Sequence, residues 1–214
     1  MRILSTKKLK LNQRELLLHA GASFVAYDAV KIEFLGIEIP SEIENAIFTS
    51  QNGVRSIQNS VCSIQKCFCV GQKTKLLLEE KGLNVVKMTE YGAELADFIV
   101  KNHKKDTFHF FCSEQRLDEI PNRLKQAGVE LIEINTYRAV SNPKKFSQNW
   151  DGILFFSPSG VQSFISENSI KDSIAFCIGT TTAAEAKKYT ENVVVSNATS
   201  VESVIAKAVK TLKK

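Results

Sequence analysis

The 214-residue sequence contains no long apolar run. Basic residues near the start flank only Ile3-Leu4-Ser5-Thr6, which does not make a secretory signal, and no stretch elsewhere approaches the roughly 20 residues that span a bilayer. The expectation is a cytoplasmic protein without membrane contact. Paired cysteines are lacking as well. Cys62, Cys67, Cys69, Cys112 and Cys177 are odd in number, have no C-x-x-C spacing and belong to a chain expected in a reducing compartment. They read as small buried hydrophobes. His19, His103 and His109 are scattered and form no ligand pattern with those cysteines, so no metal site is expected.

Blocks of like charge are absent too. The net charge of +5 comes from Lys and Arg spread along the chain. No basic stripe with interleaved aromatics appears, so nucleic acid is not an expected partner. A mild positive bias also suits a polyanionic small molecule, which a cleft of matching potential concentrates. Several nucleotide and hydrolase signatures are missing. There is no G-x-G-x-x-G after the first strand, no G-x-x-x-x-G-K-[ST] and no G-x-S-x-G elbow. Asp28, Asp106 and Asp151 do not make the acidic cluster of a phospho-receiver. What is present is ordinary globular composition, 43% hydrophobic and 24% charged, which argues against disorder and fibrous repeats.

The chain also repeats itself. Ile47-Phe48-Thr49-Ser50-Gln51-Asn52-Gly53-Val54 returns as Leu154-Phe155-Phe156-Ser157-Pro158-Ser159-Gly160-Val161, an offset of 107 residues between Gly53 and Gly160. Phe68-Cys69-Val70-Gly71-Gln72-Lys73-Thr74 returns as Phe176-Cys177-Ile178-Gly179-Thr180-Thr181-Thr182, at 108. Leu17-Leu18-His19-Ala20-Gly21 pairs more weakly with Leu124-Lys125-Gln126-Ala127-Gly128, again at 107. Three matches in one order mean two copies of one unit, hence two similar lobes.

Within the second copy, short apolar runs alternate with helical patterns. Strands are expected at Phe108–Cys112, Val129–Ile134, Ile153–Phe156, Ile174–Ile178 and Val193–Val195. Helices are expected at Leu117–Gln126, stopped by Gly128, from Ser159 or Gly160 to Glu167, at Thr181–Tyr189 and at Ser200–Leu212. This alternation implies an α/β fold of parallel sheets covered on both faces, five strands per lobe in the flavodoxin manner.

Ligands of such sheets bind beyond the carboxyl ends of the strands, and both repeated motifs fall there. Their hydroxyls, amides and glycines sit at helix starts, where free N–H groups and the positive dipole end seat anions. The same residues also serve as plain helix caps, and the glycines as turn formers, so both readings stay open.

Together, Phe48-Thr49-Ser50-Gln51-Asn52-Gly53-Val54, Cys69-Val70-Gly71-Gln72-Lys73-Thr74, Thr136-Tyr137-Arg138-Ala139-Val140 with Pro143, Phe156-Ser157-Pro158-Ser159-Gly160-Val161 and Cys177-Ile178-Gly179-Thr180-Thr181-Thr182-Ala183 resemble the uroporphyrinogen-III synthase family in order and spacing. The resemblance implies two flavodoxin-like lobes, the first discontinuous (1–29 and 142–214) and the second at 36–134. Linker segments at 30–35 and 135–141 would pair as an antiparallel ladder. It further implies cyclisation of hydroxymethylbilane, in a cleft between the lobes, with loss of water and inversion of the last pyrrole ring. No cofactor is implied.

On that resemblance Tyr137 is the candidate proton donor to the departing hydroxyl, or else an aromatic packed in the ladder. The substrate-binding set comprises Thr6, Lys7, Ser50, Gln51, Asn52, Gly71, Lys73, Thr74, Ser157, Pro158, Ser159, Gly160, Gly179, Thr180, Thr181 and Thr182. Lys7 stands where the family often has Arg, which keeps the charge and loses the bidentate fork. A monomer is implied, the anionic linear tetrapyrrole being its partner, with room for transient contact with the preceding pathway enzyme. The alternative of another class is a non-enzymatic cytoplasmic module closing on an anionic metabolite. A structural domain of a larger complex is not expected, since no linker or partner helix is seen up to Lys213-Lys214.

Overall fold

The computed structural model describes residues 1–58 and 60–213, so Asn59 and Lys214, the expected end of the first lobe, lie outside it. The elements run β1 (Arg2–Ser5), α1 (Leu11–His19), β2 (Ser23–Ala26), β3 (Val30–Phe34), β4 (Glu42–Phe48), α2 (Gln51–Ser56), β5 (Ser63–Val70), α3 (Gln72–Glu80), β6 (Val85–Thr89) and α4 (Gly92–Asn102). They continue as β7 (Thr107–Ser113), α5 (Glu119–Ala127), β8 (Glu130–Ser141), β9 (Gly152–Phe155), α6 (Pro158–Ile165), β10 (Ile174–Cys177), α7 (Thr180–Ala186), β11 (Val193–Val195) and α8 (Val201–Leu212). The chain divides into two compact units, the first Met1–Lys31 with Val140 onward and the second Ile32–Ala139.

The first unit holds a five-stranded sheet in the order β11-β10-β9-β1-β2, every pair parallel. The second holds β3-β8-β7-β4-β5-β6, parallel from β8 to β6. The repeat matches β9, β10 and β11 to β4, β5 and β6, and β1 and β2 to β7 and β8. Both sheets thus have one flavodoxin-like order, with the strand sequence reversing between β1 and β9 in one unit and between β7 and β4 in the other.

Successive side chains on a strand point to opposite faces, and both faces of each sheet are buried. Leu4, Ile153, Phe155, Ala175 and Cys177 pack with α6 and α7, while Ile3, Leu154 and Phe176 pack with α1 and α8. In the second unit Ile47, Phe68, Phe108 and Phe110 meet α4 and α5, and Ala46, Phe48, Cys67 and Phe111 meet α2 and α3. These strands therefore read as near-continuous apolar runs without alternation.

Two local outcomes differ from expectation. The helix expected from Leu117 begins at Glu119, because a turn with the Arg116 N–H on the Ser113 carbonyl precedes it. Its stop at Gly128 is as expected, in left-handed backbone at φ +75° that glycine adopts without strain. The strand expected at Val129–Ile134 and the second linker segment, the crossing expected at 135–141, form one element, β8, because a bulge lets the chain continue. Cys112 faces Asn135 and Ser113 faces Tyr137, leaving Thr136 as the extra residue. The second crossing therefore belongs to the sheet, which β3 extends to six strands. Leu35 N–H bonds Thr136 O and Asn142 N–H bonds Ala29 O, a falling register that makes β3 antiparallel to β8.

Candidate functional site

In the second unit the strand order reverses between β7 and β4, and a cavity of about 330 Å³ opens at their carboxyl ends. Its wall includes Thr49 and Ser50 after β4, Ser113, Gln115 and Arg116 after β7, Glu119 at the start of α5, and Tyr137 on β8. Ser50 caps α2, its Oγ accepting the Asn52 N–H at 3.1 Å. Gln51 donates to the Lys73 carbonyl, and both Gln51 and Asn52 accept from Arg55. The α2 and α3 starts are thereby tied together. Gly53 does not serve a positive φ. A Cβ there would lie 2.8 Å from the Phe111 carbonyl oxygen, so the glycine lets α2 close on β7.

The bulge at Thr136 shifts side-chain parity, so that Tyr137 shares the register of Ser113 and enters the cavity wall. Among the described residues none hydrogen-bonds its hydroxyl. Arg116 is the cation of the wall. Its Nε donates to Glu133 and its Nη1 to Asp118, while Nη2 has no partner among the described residues. The Glu133 hydrogen bond raises the guanidinium pKa further, so the group is a permanent cation held in one orientation. Cys112 lies beneath, donating to Asn135 Oδ1, and burial pushes its thiol up to about 11, which keeps it neutral and poorly nucleophilic.

The equivalent turn of the first unit is more closed. Thr6 is buried, and its Oγ1 donates to Leu154 O at 2.8 Å. Ser157 caps α6 by accepting the Gly160 N–H at 3.0 Å, and its Oγ also meets Ser159 Oγ at 3.1 Å. Pro158 occupies the first helical turn, and Gly160 leaves room for the Ser157 and Thr6 hydroxyls. Lys7, Ser159, Thr180 and Thr181 are exposed, whereas Thr182 is buried. Gly179 precedes α7 in extended backbone. Gly71, its counterpart before α3, has φ +84°, with Lys73 exposed and Thr74 buried behind it.

The structure therefore brings Ser50 and Tyr137 to one cavity. It puts Gln51, Asn52, Gly71 and Lys73 on neighbouring turns, and it buries Thr6, Thr74 and Thr182. The Ser113–Leu117 turn escaped the sequence reading. Its signal was the repeat itself, since Ser113 and Glu114 stand 107 residues after the singled-out Thr6 and Lys7. A larger cavity of about 570 Å³, lined by Trp150, Asp151 and Ser173, lies at the amino ends of β9 and β10, away from the ligand-binding ends of the strands.

Comparison with known proteins agrees with the fold. Residues 14–206 match the family model described as uroporphyrinogen-III synthase HemD. The fold is similar to uroporphyrinogen-III synthetase of Helicobacter pylori, with a TM-score of 0.73 at 14% identity, covering 99% of this chain and 100% of that one. It is also similar to a mutant uroporphyrinogen III synthase of the extremely thermophilic bacterium Thermus thermophilus, with a TM-score of 0.57 at 13% identity over 100% and 99% of the two chains. No curated protein matches the sequence.

Proposed function

The chain belongs to the uroporphyrinogen-III synthase family, and on that premise we propose that the cavity between the β7 and β4 ends holds the reacting part of its substrate. The enzyme is a cyclising lyase of tetrapyrrole biosynthesis. It closes hydroxymethylbilane, expelling the terminal hydroxyl as water and inverting the last pyrrole ring. The observation that carries the assignment of the site is the shared wall of Tyr137, Ser50 and Arg116 at a strand-order reversal.

The acetate and propionate side chains of the substrate are anions, and Nη2 of Arg116, without a partner among the described residues, offers them a fixed donor. Tyr137 donates its phenolic proton to the departing hydroxyl as the pyrrole nitrogen pushes it out. Water leaves, an azafulvenium cation remains, and the proton released from carbon on ring closure returns to the phenolate. Because the azafulvene forms readily, catalysis rests mainly on holding the terminal ring so that inversion precedes closure. Ser50, Gln51, Asn52, Gly71 and Lys73 line the approach in the second unit. Within the first unit, taken by itself, a polar binding role is assigned to Lys7, Ser157, Ser159, Gly179, Thr180 and Thr181, while Thr6, Pro158, Gly160 and Thr182 in that unit and Thr74 in the second shape their own turns from below.

The test is to supply hydroxymethylbilane made in situ and separate the oxidised porphyrin isomers. Type III product is expected, and type I alone would refute the reading. Thermal stabilisation by a linear tetrapyrrole without turnover would favour the binding-module alternative. We take the working species to be a monomer, which sedimentation at assay concentration checks. Among the described residues no helix is long and apolar enough to cross a membrane.

A further inference from the structure

The Ser113–Arg116 turn is fastened to β8 at Tyr137 and again beyond it. Glu114 N–H donates to the Tyr137 carbonyl at 3.1 Å. Two residues further along β8, Ala139 N–H donates to the Gln115 side-chain oxygen at 3.2 Å, and Ser113 Oγ donates to the same oxygen at 3.2 Å. Gln115 N–H in turn donates to Ser113 Oγ. The β7–β8 register ends at Ser113 and Tyr137, so beyond this point β7 offers the strand no further carbonyl. The Gln115 amide oxygen takes that place, standing in for a ladder acceptor where the bulge has ended regular pairing.

We propose that Gln115 is a positioning residue for Tyr137. Its side-chain oxygen holds Ala139, and with it the bulged segment, so that the phenol stays in the cavity wall. The inference rests on the assignment of Tyr137 to proton donation, although its geometric part stands apart from that assignment. A misplacement of about 1 Å at a reacting group can cost about a hundredfold in rate. Gln115→Ala leaves Ala139 N–H without its acceptor. Gln115→Glu keeps an acceptor oxygen at the same reach and adds a negative charge near an anionic substrate.

The experiment has two readouts, taken on the full chain. Amide hydrogen exchange at Ala139, followed by NMR, reads the fastening without any need for turnover. Protection should fall at least about tenfold in Gln115→Ala and persist in Gln115→Glu. Turnover of hydroxymethylbilane reads the consequence. We expect kcat to fall about tenfold or more in Gln115→Ala, with a larger share of type I product. In Gln115→Glu, kcat should recover to within about threefold of the parent while KM rises. Unchanged Ala139 exchange in Gln115→Ala overturns the fastening. Changed exchange with unaltered kcat and isomer ratio, or a Gln115→Glu rate as poor as that of Gln115→Ala, overturns the positioning role. Failure of the parent chain to form type III product would instead count against the assigned reaction, while the exchange result still decides the fastening.

Discussion

Gly53→Ala places a methyl carbon 2.8 Å from the Phe111 carbonyl oxygen and 3.5 Å from the Phe48 ring. Ordinary contact begins near 3.4 Å, so something must yield by about half an ångström. Neither side yields easily. The oxygen belongs to the backbone of β7, a strand paired on both sides, and the Phe48 and Phe111 rings are stacked at 4.9 Å in the buried core. Overpacking of this kind costs about 1–3 kcal/mol. Alanine recovers up to about 1 kcal/mol of helix propensity over glycine. The net expectation is a loss of about 1–2 kcal/mol, or roughly 2–8 °C in Tm for a chain of this size.

Gly36→Ala is the matched control, since its Cβ meets nothing within 4 Å and its backbone is not left-handed. It should be neutral or stabilising by up to about 1 kcal/mol. Urea denaturation of both variants beside the parent measures the difference. Equal midpoints for Gly53→Ala and Gly36→Ala would refute the claim that this glycine is there for close packing. Displacement of α2 also moves Ser50, so KM should rise in Gly53→Ala and stay unchanged in Gly36→Ala.

Three further outcomes are expected. Tyr137→Phe should lower kcat about ten- to a hundredfold while sparing some turnover, because the azafulvene forms readily; complete loss with an intact fold would contradict this. Arg116→Gln should raise KM about tenfold or more through loss of a charge-assisted contact, measured by steady-state kinetics, and an unchanged KM would remove Arg116 from the site. Burial pushes Cys67 and Cys177 from 9.0 to about 12, Cys69 and Cys112 to about 11, and Tyr27 from 10.0 to about 12. The unfolded chain gives up these protons first, so stability is fully present below about pH 9 and falls as pH rises toward 12. A urea midpoint equal at pH 7 and pH 10.5 would show these groups to be more solvated than the structure has them.

Sheets buried on both faces are easy to read, because their central strands are apolar runs and most of the helix starts carry Ser, Thr or Gly. The duplication was legible for the same reason, since Ile47-Phe48 and Leu154-Phe155 meet the same packing demands. The bulge at Thr136 was not legible. It depends on how Cys112 and Ser113 pair with a strand some twenty residues further on, which no local pattern encodes. The burial of Thr6, Thr74 and Thr182 was equally hidden, because a hydroxyl near a helix start looks the same whether it faces solvent or a neighbouring carbonyl such as Leu154 O.

The two copies part where one of them acquires its phenol. By the repeat offset Tyr137 corresponds to Val30, and both begin the outer stretch of a crossing. After β2 the chain leaves its strand at Tyr27-Asp28-Ala29, where Lys8 N–H bonds the Asp28 carboxylate and Asn142 bonds the Asp28 carbonyl. In the other copy Asn135 takes the Cys112 thiol, Thr136 is absorbed as a bulge, and the strand runs on unbroken to Ser141. A broken strand offers no rigid mount for a side chain, whereas a bulged one redirects a residue while keeping it anchored on both sides. The asymmetry predicts that moving the phenol to the other copy, as Val30→Tyr with Tyr137→Phe, fails to restore turnover. Recovery of the parent rate in that double variant would show that the mount contributes nothing.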